Sequence, residues 1–193
     1  MESSEKISPT RSQTWIMNAL LELMEIKPFQ KIKINEISAK ADLDRRTFYR
    51  YFKSKEDVLE LYCRILLEKL ADKILERDFL TENAIAQKGL SIETVAIAYF
   101  EFWSEHMDFL RLLEKSRMLY FFSENHDTLM FYHVSLKVKQ WLSEEEIDKE
   151  TRYHFFYHMG GALHMTIRWM SENSGETPEE MAKMVTNLFQ SNQ

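Results

Sequence analysis

The chain has 193 residues, 45% hydrophobic and 29% charged, with four glycines, three prolines and a net charge of −6. It is long enough to bury a substantial core in one or two small domains. It has no run of eighteen apolar residues to span a membrane and no apolar signal core in MESSEKISPTRSQ. The lone Cys63 cannot form an internal disulfide, which suits a reducing, cytoplasmic location.

Taken in order, residues 1–9 form a flexible arm. Lys6 and Arg11 either lie along a phosphate backbone or belong to a solvated tail. Pro9 after Ser8 sets a helix start, and Ile16, Leu20, Leu23 and Met24 give that helix an apolar face ending before Pro28. A second helix places Ile34, Ile37 and Ala41 on one side, a spacing that buries them against Phe48 and Phe52. In DLDRRTFYRYFKSKEDVL, Asp44 stands where an N-cap is needed. Ser54, with Asp57 three residues on, caps the following helix.

On a helical wheel Arg45, Tyr49, Lys53, Arg46 and Arg50 share an arc of roughly 140°, with Phe48 and Phe52 opposite. One face is therefore aromatic core and the other cationic. Two short helices joined by three residues, with arginines on the second, form a helix-turn-helix that places a helix in DNA. The charge supports this. From Lys27 to Lys55 there are nine Lys and Arg against three acids, a surplus of six, so the remainder carries −12. Cationic charge is gathered where phosphate would be met.

The Pro-Phe after the first helix, the run Ile-Asn-Glu-Ile-Ser-Ala-Lys-Ala and the segment Arg-Thr-Phe-Tyr-Arg-Tyr-Phe-Lys-Ser-Lys resemble the DNA-binding domain of TetR-family transcriptional regulators. The likeness covers about Thr10 to Leu61. The family usually has glycine where this chain has Asp42, and Asp is among the few residues that tolerate positive φ. It usually has Thr or Ser capping the second helix, where this chain has Lys33. The resemblance implies Arg45, Arg46, Tyr49 and Asn35 as base-edge candidates, and Thr47, Tyr51 and Lys55 as phosphate holders. Arg50 suits either role and Lys33 completes the set. For Tyr51, packing and contact both remain open. Arg can pair with guanine, Asn with adenine, and a Tyr ring can touch a thymine methyl.

Beyond the helix-turn-helix, a fourth helix runs from Ser54 toward Arg77 on Val58, Tyr62, Ile65, Leu66 and Ile74, and a loop is expected over residues 78–90. The domains predicted are thus 1–9, the arm; 10–54, the DNA-binding domain; and 55–193, a helical effector-binding and dimerisation domain. From Ser91 a helix carries Val95, Tyr99, Phe102 and Trp103. Eleven aromatics lie between Tyr99 and Trp141. Tyr99, Phe102, Trp103, Met107, Met118, Phe122 and Phe131 are candidates for a ligand pocket, or simply core. The family resemblance favours an effector there and implies no cofactor.

Lys149 to Asn173 reads as one long helix with stripes at Phe156, Gly160, Leu163, Ile167, Met170 and at Phe155, Met159, Ala162, Thr166, Trp169, so it must be covered from two sides. Gly160 and Gly161 mark either a close helix approach or a local break. Thr177-Pro178-Glu179-Glu180 is a capping box opening a last helix with Met181, Met184, Val185, Leu188 and Phe189 on one stripe. Phe156, Gly160, Leu163, Ile167, Met181, Met184, Val185 and Leu188 are the candidate dimer interface, a four-helix bundle in the family. GGALHMTIRWM is similar to a Firmicutes subgroup that includes dihydroxyacetone kinase regulators.

The expected fold is all-α: an N-terminal three-helix helix-turn-helix domain, then a C-terminal helical ligand-binding and dimerisation domain. The expected function is that of a homodimeric regulator, a repressor in the family's usual mode. It would bind near-palindromic double-stranded DNA under control of a small-molecule effector and have no membrane partner. An activator acting with a partner protein is an alternative. A metal-responsive regulator is another, since Glu150, His154 and His158 share a helical face, with His126 and His133 as possible neighbours. No glycine-rich phosphate loop, Gly-x-Ser-x-Gly elbow or HExxH motif points to an enzyme.

Overall fold

The computed structural model describes residues 7–79, 92–124, 126, 130, 149–172 and 175–190, apart from the side chains of 77–79, 151, 189 and 190. The regular elements among the described residues are all helical, in agreement with the all-α expectation. They are α1 (Arg11–Ile26), a 3-10 turn (Phe29–Lys31), α2 (Ile34–Lys40), α3 (Arg45–Tyr51), α4 (Lys55–Phe79), α5 (Ile92–Glu105), α6 (Met107–Lys115), α7 (Lys149–Glu172) and α8 (Pro178–Gln190). Residues 119–124 are also helical. Of the loop expected over 78–90, residues 78 and 79 belong to α4 instead, and 80–90 lie outside the described residues, as do residues 1–6 of the arm, Phe131 and His133.

Two compact units are present. Residues 1–66 with 111–122 form the first, and 67–110 with 123–193 the second. The position between 54 and 55 is the N-terminus of α4, and the first unit continues past it to Leu66.

In the first unit α1, α2 and α3 pack on one another, because each brings an apolar face to one core. Ile16, Met17, Leu20, Met24, Ile37, Phe48 and Phe52 are buried there. Ile34 and Ala41 are only half-buried, and Ser38 takes a buried place beside Ile37. The helix starts follow side-chain chemistry. α1 begins at Arg11 rather than at Pro9, because Thr10 Oγ1 accepts from Gln13 N at 3.3 Å while Gln13 Oε1 accepts from Thr10 N at 2.9 Å. This reciprocal cap satisfies two donors that Pro9 could not reach.

At α4, Asp57 N donates to Ser54 Oγ at 3.1 Å, and Asp57 Oδ2 accepts from Lys53 N at 2.8 Å and Ser54 N at 3.1 Å. The turn between α2 and α3 holds Asp42 at φ 53°, in the left-handed region. The far end of α1 is closed by Lys115, whose Nζ donates to Glu25 O at 2.6 Å.

α4 is broader in burial than its expected stripe. Val58, Leu66 and Ile74 are buried, Tyr62 and Ile65 half-buried, and Leu59, Cys63, Leu67, Leu70, Ala71 and Leu75 are buried as well. A helix buried over so wide an arc carries no single clean stripe for periodicity to find. Burial pushes the Cys63 thiol up to about 12.

In the second unit α5 packs along α8. Lys73 on α4 reaches Glu105 at 2.9 Å and Glu101 at 3.8 Å on α5. α7 is continuous through Gly160 and Gly161, which excludes the local break. Thr177 caps α8 as the sequence predicts: Glu180 N donates to Thr177 Oγ1 at 3.2 Å and Thr177 N to Glu180 Oε2 at 2.8 Å.

Ser54→Ala removes the α4 cap and is expected to cost about 1 kcal/mol in thermal unfolding. The Ser54 hydroxyl bonded to Asp57, and Lys27 bonded to Glu36, hold both carboxyls below their usual pKa. Their folded values lie below the unfolded ones, so their stabilisation is complete above about pH 4 and is lost as pH falls through the lowered values. A urea midpoint that falls on acidification, and falls less in an Asp57→Asn/Glu36→Gln double variant, is the expected outcome.

Candidate nucleic-acid interface

α3 is short because its ends are fixed from both sides. Asp44 Oδ1 accepts from Arg46 N at 2.6 Å at the start, and Phe52 leaves helical geometry at the end. Phe48 is fully buried, with its ring 5.6 Å from Tyr49 in an edge-on contact and 5.8 Å from Phe52. With that face anchored, Arg45, Arg46, Tyr49 and Arg50 are necessarily exposed, and Thr47 is half-buried at the boundary. Lys53 lies beyond the helix end, so it leaves the arc drawn for it, although it remains exposed.

Arg46, Thr47, Tyr49 and Arg50 line an open recess of about 430 Å³. Among the described residues, Arg45, Arg46 and Arg50 form no ion pair. No described acid neutralises their charge, as a phosphate-seeking surface requires. Arg45 donates from Nη2 to Tyr49 OH at 3.1 Å, and the Arg50 guanidinium lies 5.0 Å from the Tyr51 ring centre.

Tyr51 is tied to the start of α1: hydroxyl bonds from Ser12 and Thr10, followed by Arg50, hold its phenol below the usual pKa. Asn35 is exposed on α2, which packs on α3, and Lys33 is the exposed N-cap of α2. At that cap the bond comes from Glu36, which accepts from Lys33 N at 2.9 Å and pairs with Lys27. Lys55 is placed differently from the others. Its Nζ donates to Phe29 O at 2.7 Å, Ile32 O at 3.0 Å and Gln30 O at 3.3 Å, and it sits 4.6 Å from the Phe29 ring. These bonds engage all three ammonium donors. The Thr10 and Ser12 contribution to Tyr51 was not read from the sequence, although Thr-Arg-Ser-Gln is a legible capping box.

In the second unit, Tyr99, Phe102 and Trp103 are fully buried and Met107 half-buried. Tyr99 and Trp103 rings lie 6.4 Å apart, and Phe102 stacks on His106 at 4.2 Å. The buried His126 Nε2 is 3.4 Å from Tyr99 OH. Met118 and Phe122 are buried in the first unit, so these pocket candidates are divided between the two units.

Of the dimer candidates, Leu163 and Met181 are buried within the chain itself, and Phe156, Gly160, Ile167 and Val185 are half-buried. Met184 is 45% and Leu188 63% exposed, as are Tyr153 at 60% and Tyr157 at 78%. A Cβ on Gly161 would meet nothing within 4 Å.

Glu150 and His154 approach to 4.0 Å, and the His154 and His158 rings are 6.2 Å apart. Desolvation, then His154, lowers the His158 pKa. Among the described residues no group of three His, Cys, Asp or Glu is arranged to hold a metal, and no helix is long and apolar enough to cross a membrane.

A capped helix-turn-helix with an unneutralised cationic helix, joined to a helical second unit, defines a DNA-binding regulator. Residues 16–62 match the family model described as bacterial regulatory proteins, tetR family, and residues 91–191 match the transcriptional regulator C-terminal region model. The chain belongs to the TetR family of bacterial transcriptional regulators, whose members are not enzymes.

Solved structures share the fold. The fatty acid degradation regulator FadR from Bacillus halodurans is 15% identical, with 94% of this chain and 96% of that chain covered and a TM-score of 0.56. The repressor AlkX from Dietzia sp. strain DQ12-45-1b is 16% identical, with 96% and 95% covered and a TM-score of 0.57. The dihydroxyacetone kinase operon activator DhaS is 17% identical, with 94% and 96% covered and a TM-score of 0.54. No curated protein sequence matches the chain.

Lys55→Ala strips a cation from three carbonyls and is expected to destabilise the protein by about 1–3 kcal/mol. Thermal unfolding of the variant checks this, and an unchanged melting temperature would show that water replaces the ammonium without loss.

Proposed function

We propose that the chain is a homodimeric, effector-controlled regulator that reads a near-palindromic operator through α3. The observation that carries this is the set of exposed arginines, in no ion pair among the described residues, on a helix whose opposite face is anchored by Phe48. In the major groove, Arg45, Arg46 and Tyr49, with Asn35 from α2, face base edges. Thr47, Tyr51, Arg50 and Lys33 hold phosphates on either side. Lys55 contributes by fixing the 3-10 turn rather than by reaching DNA. Residues 1–9 serve as an arm, 10–54 as the reader and 55–193 as the sensing and dimerising domain.

The partner is a second copy, bound through α7 and α8. The exposed Tyr153, Tyr157, Met184 and Leu188 form the apolar part of that surface. It continues over a groove of about 300 Å³ lined by His164, Met165, Arg168 and Met181, among others. The half-buried Phe156, Gly160, Ile167 and Val185 belong to the same two helices. Two readers related by a two-fold axis match half-sites spaced near one helical turn.

An effector held among Tyr99, Phe102, Trp103 and Met107 would be mostly apolar, with one polar group for the Tyr99–His126 pair. It acts by favouring one spacing of the readers over another. Repression follows the family's usual mode. DhaS, named an activator, has the same fold, so an activator is the second reading.

Selection of fragments from a random DNA pool by the purified protein is the test. A palindromic site should emerge, and Arg46→Ala should lose preference at particular bases by about 1–3 kcal/mol. Affinity should fall about a thousandfold between roughly 50 and 200 mM salt. Recovery of unrelated fragments with no common site would defeat the reading. For the dimer, a Met184→Asp/Leu188→Asp variant should sediment as a monomer and lose the palindromic site. A variant that stays dimeric places the interface elsewhere.

A further inference from the structure

α3 presents three arginines, and they are not held alike. Arg50 rests against Tyr51, which is itself bonded to Ser12 and Thr10. Among the described residues Arg46 has neither a ring partner nor an ion pair. Arg45 is held twice by one residue: its Nη2–H donates to Tyr49 OH at 3.1 Å, and its guanidinium carbon lies 5.3 Å from the centre of the Tyr49 ring. The Tyr49 ring, although 46% exposed, is braced in turn by its edge-on contact with Phe48, which has no exposed surface and contacts Phe52. A continuous line of contacts therefore runs from the core to the guanidinium.

We infer that Tyr49 is a positioning residue: it presets Arg45 for one base pair of each half-site. This rests on the reading of α3 as the DNA reader. The chemistry is consistent with both groups acting together. A guanidinium has five N–H donors, so one given to Tyr49 leaves four, enough for a bidentate pair with guanine O6 and N7. The Tyr49 hydroxyl accepts from Arg45 through an oxygen lone pair, so bracing the guanidinium requires no bond from Tyr49 to the DNA. An arginine already in its bound rotamer loses less freedom on binding than a mobile one, which is the source of a preorganised contact's advantage. The base facing Arg45 is accordingly the most strictly specified in the half-site, and the base facing the unbraced Arg46 is read more permissively.

The test is a double-mutant cycle on the selected operator, with binding measured to the operator and to single-base variants of each half-site position. Tyr49→Phe keeps the ring and its Phe48 contact but removes the acceptor for Arg45. Preference at the Arg45 position should fall about 3- to 10-fold, the value of one immobilised side chain, and fall more there than at any other position. In an Arg45→Ala background, Tyr49→Phe should add nothing at that position. Helical content and melting temperature serve as the folding control for each variant.

Equal effects of Tyr49→Phe with and without Arg45 would show that Tyr49 meets DNA on its own account, and overturn the proposal. So would a Tyr49→Phe protein with unaltered preference. Either result leaves α3 as the reader. If the unaltered protein selects no site, both the reader and its preset arginine fall together.

Discussion

The position of α3 depends on a lysine that faces inward. Lys55 opens α4, yet its ammonium is bonded to the carbonyls of Phe29, Gln30 and Ile32 in the 3-10 turn between α1 and α2. Within the turn Phe29 O also accepts from Ile32 N at 3.0 Å, and a carbonyl oxygen has room for a second donor. The cation supplies it while also resting against the Phe29 ring. Since α3 lies between α2 and α4 in the chain, fixing the start of α4 to the turn before α2 closes a bracket around it. Glu36 adds a second tie, joining Lys27 at the end of α1 to the N-cap amide of α2. The arginines of α3 therefore stand on a base set by electrostatics as much as by apolar packing.

Much of this could be read from the residues. Local chemistry was legible wherever a side chain acts on its own backbone: Asp44 and Ser54 as caps, Thr177 with Glu180, Asp42 in a left-handed turn. These depend on spacings of two or three residues, which a sequence displays directly. The aromatic-in, arginine-out division of α3 was legible for the same reason, since a seven-residue helix has few ways to be amphipathic. Long-range contacts were not. Lys55 carries the same charge whether it meets a phosphate or three carbonyls, and only the return of the chain 26 residues apart decides between them. Proline favours a first helical position, which points to Pro9, whereas Thr10 and Gln13 close a reciprocal bond that starts the helix at Arg11.

The C-terminal helices show a second kind of ambiguity. An apolar stripe says that a face is covered, not whether its own chain or another covers it. Leu163 and Met181 sit in the chain's own core, while Met184 and Leu188, on the stripe with Met181, remain exposed. The same holds for the pocket candidates: Met118 and Phe122 belong to a different compact unit from Tyr99, Phe102 and Trp103. Composition groups them, but the chain path separates them.

Cys63 lies in the first unit, 2% exposed, with its thiol pushed up to about 12. Thiolate, not thiol, is the reactive form, so in the closed molecule this sulfur is inert to alkylating reagents and oxidants. Reaction requires the interior of the DNA-binding unit to open. As the chain's one cysteine, it makes the protein its own recorder: reagent uptake counts the excursions of that unit from its closed state, with no probe added and no other thiol to confuse the signal.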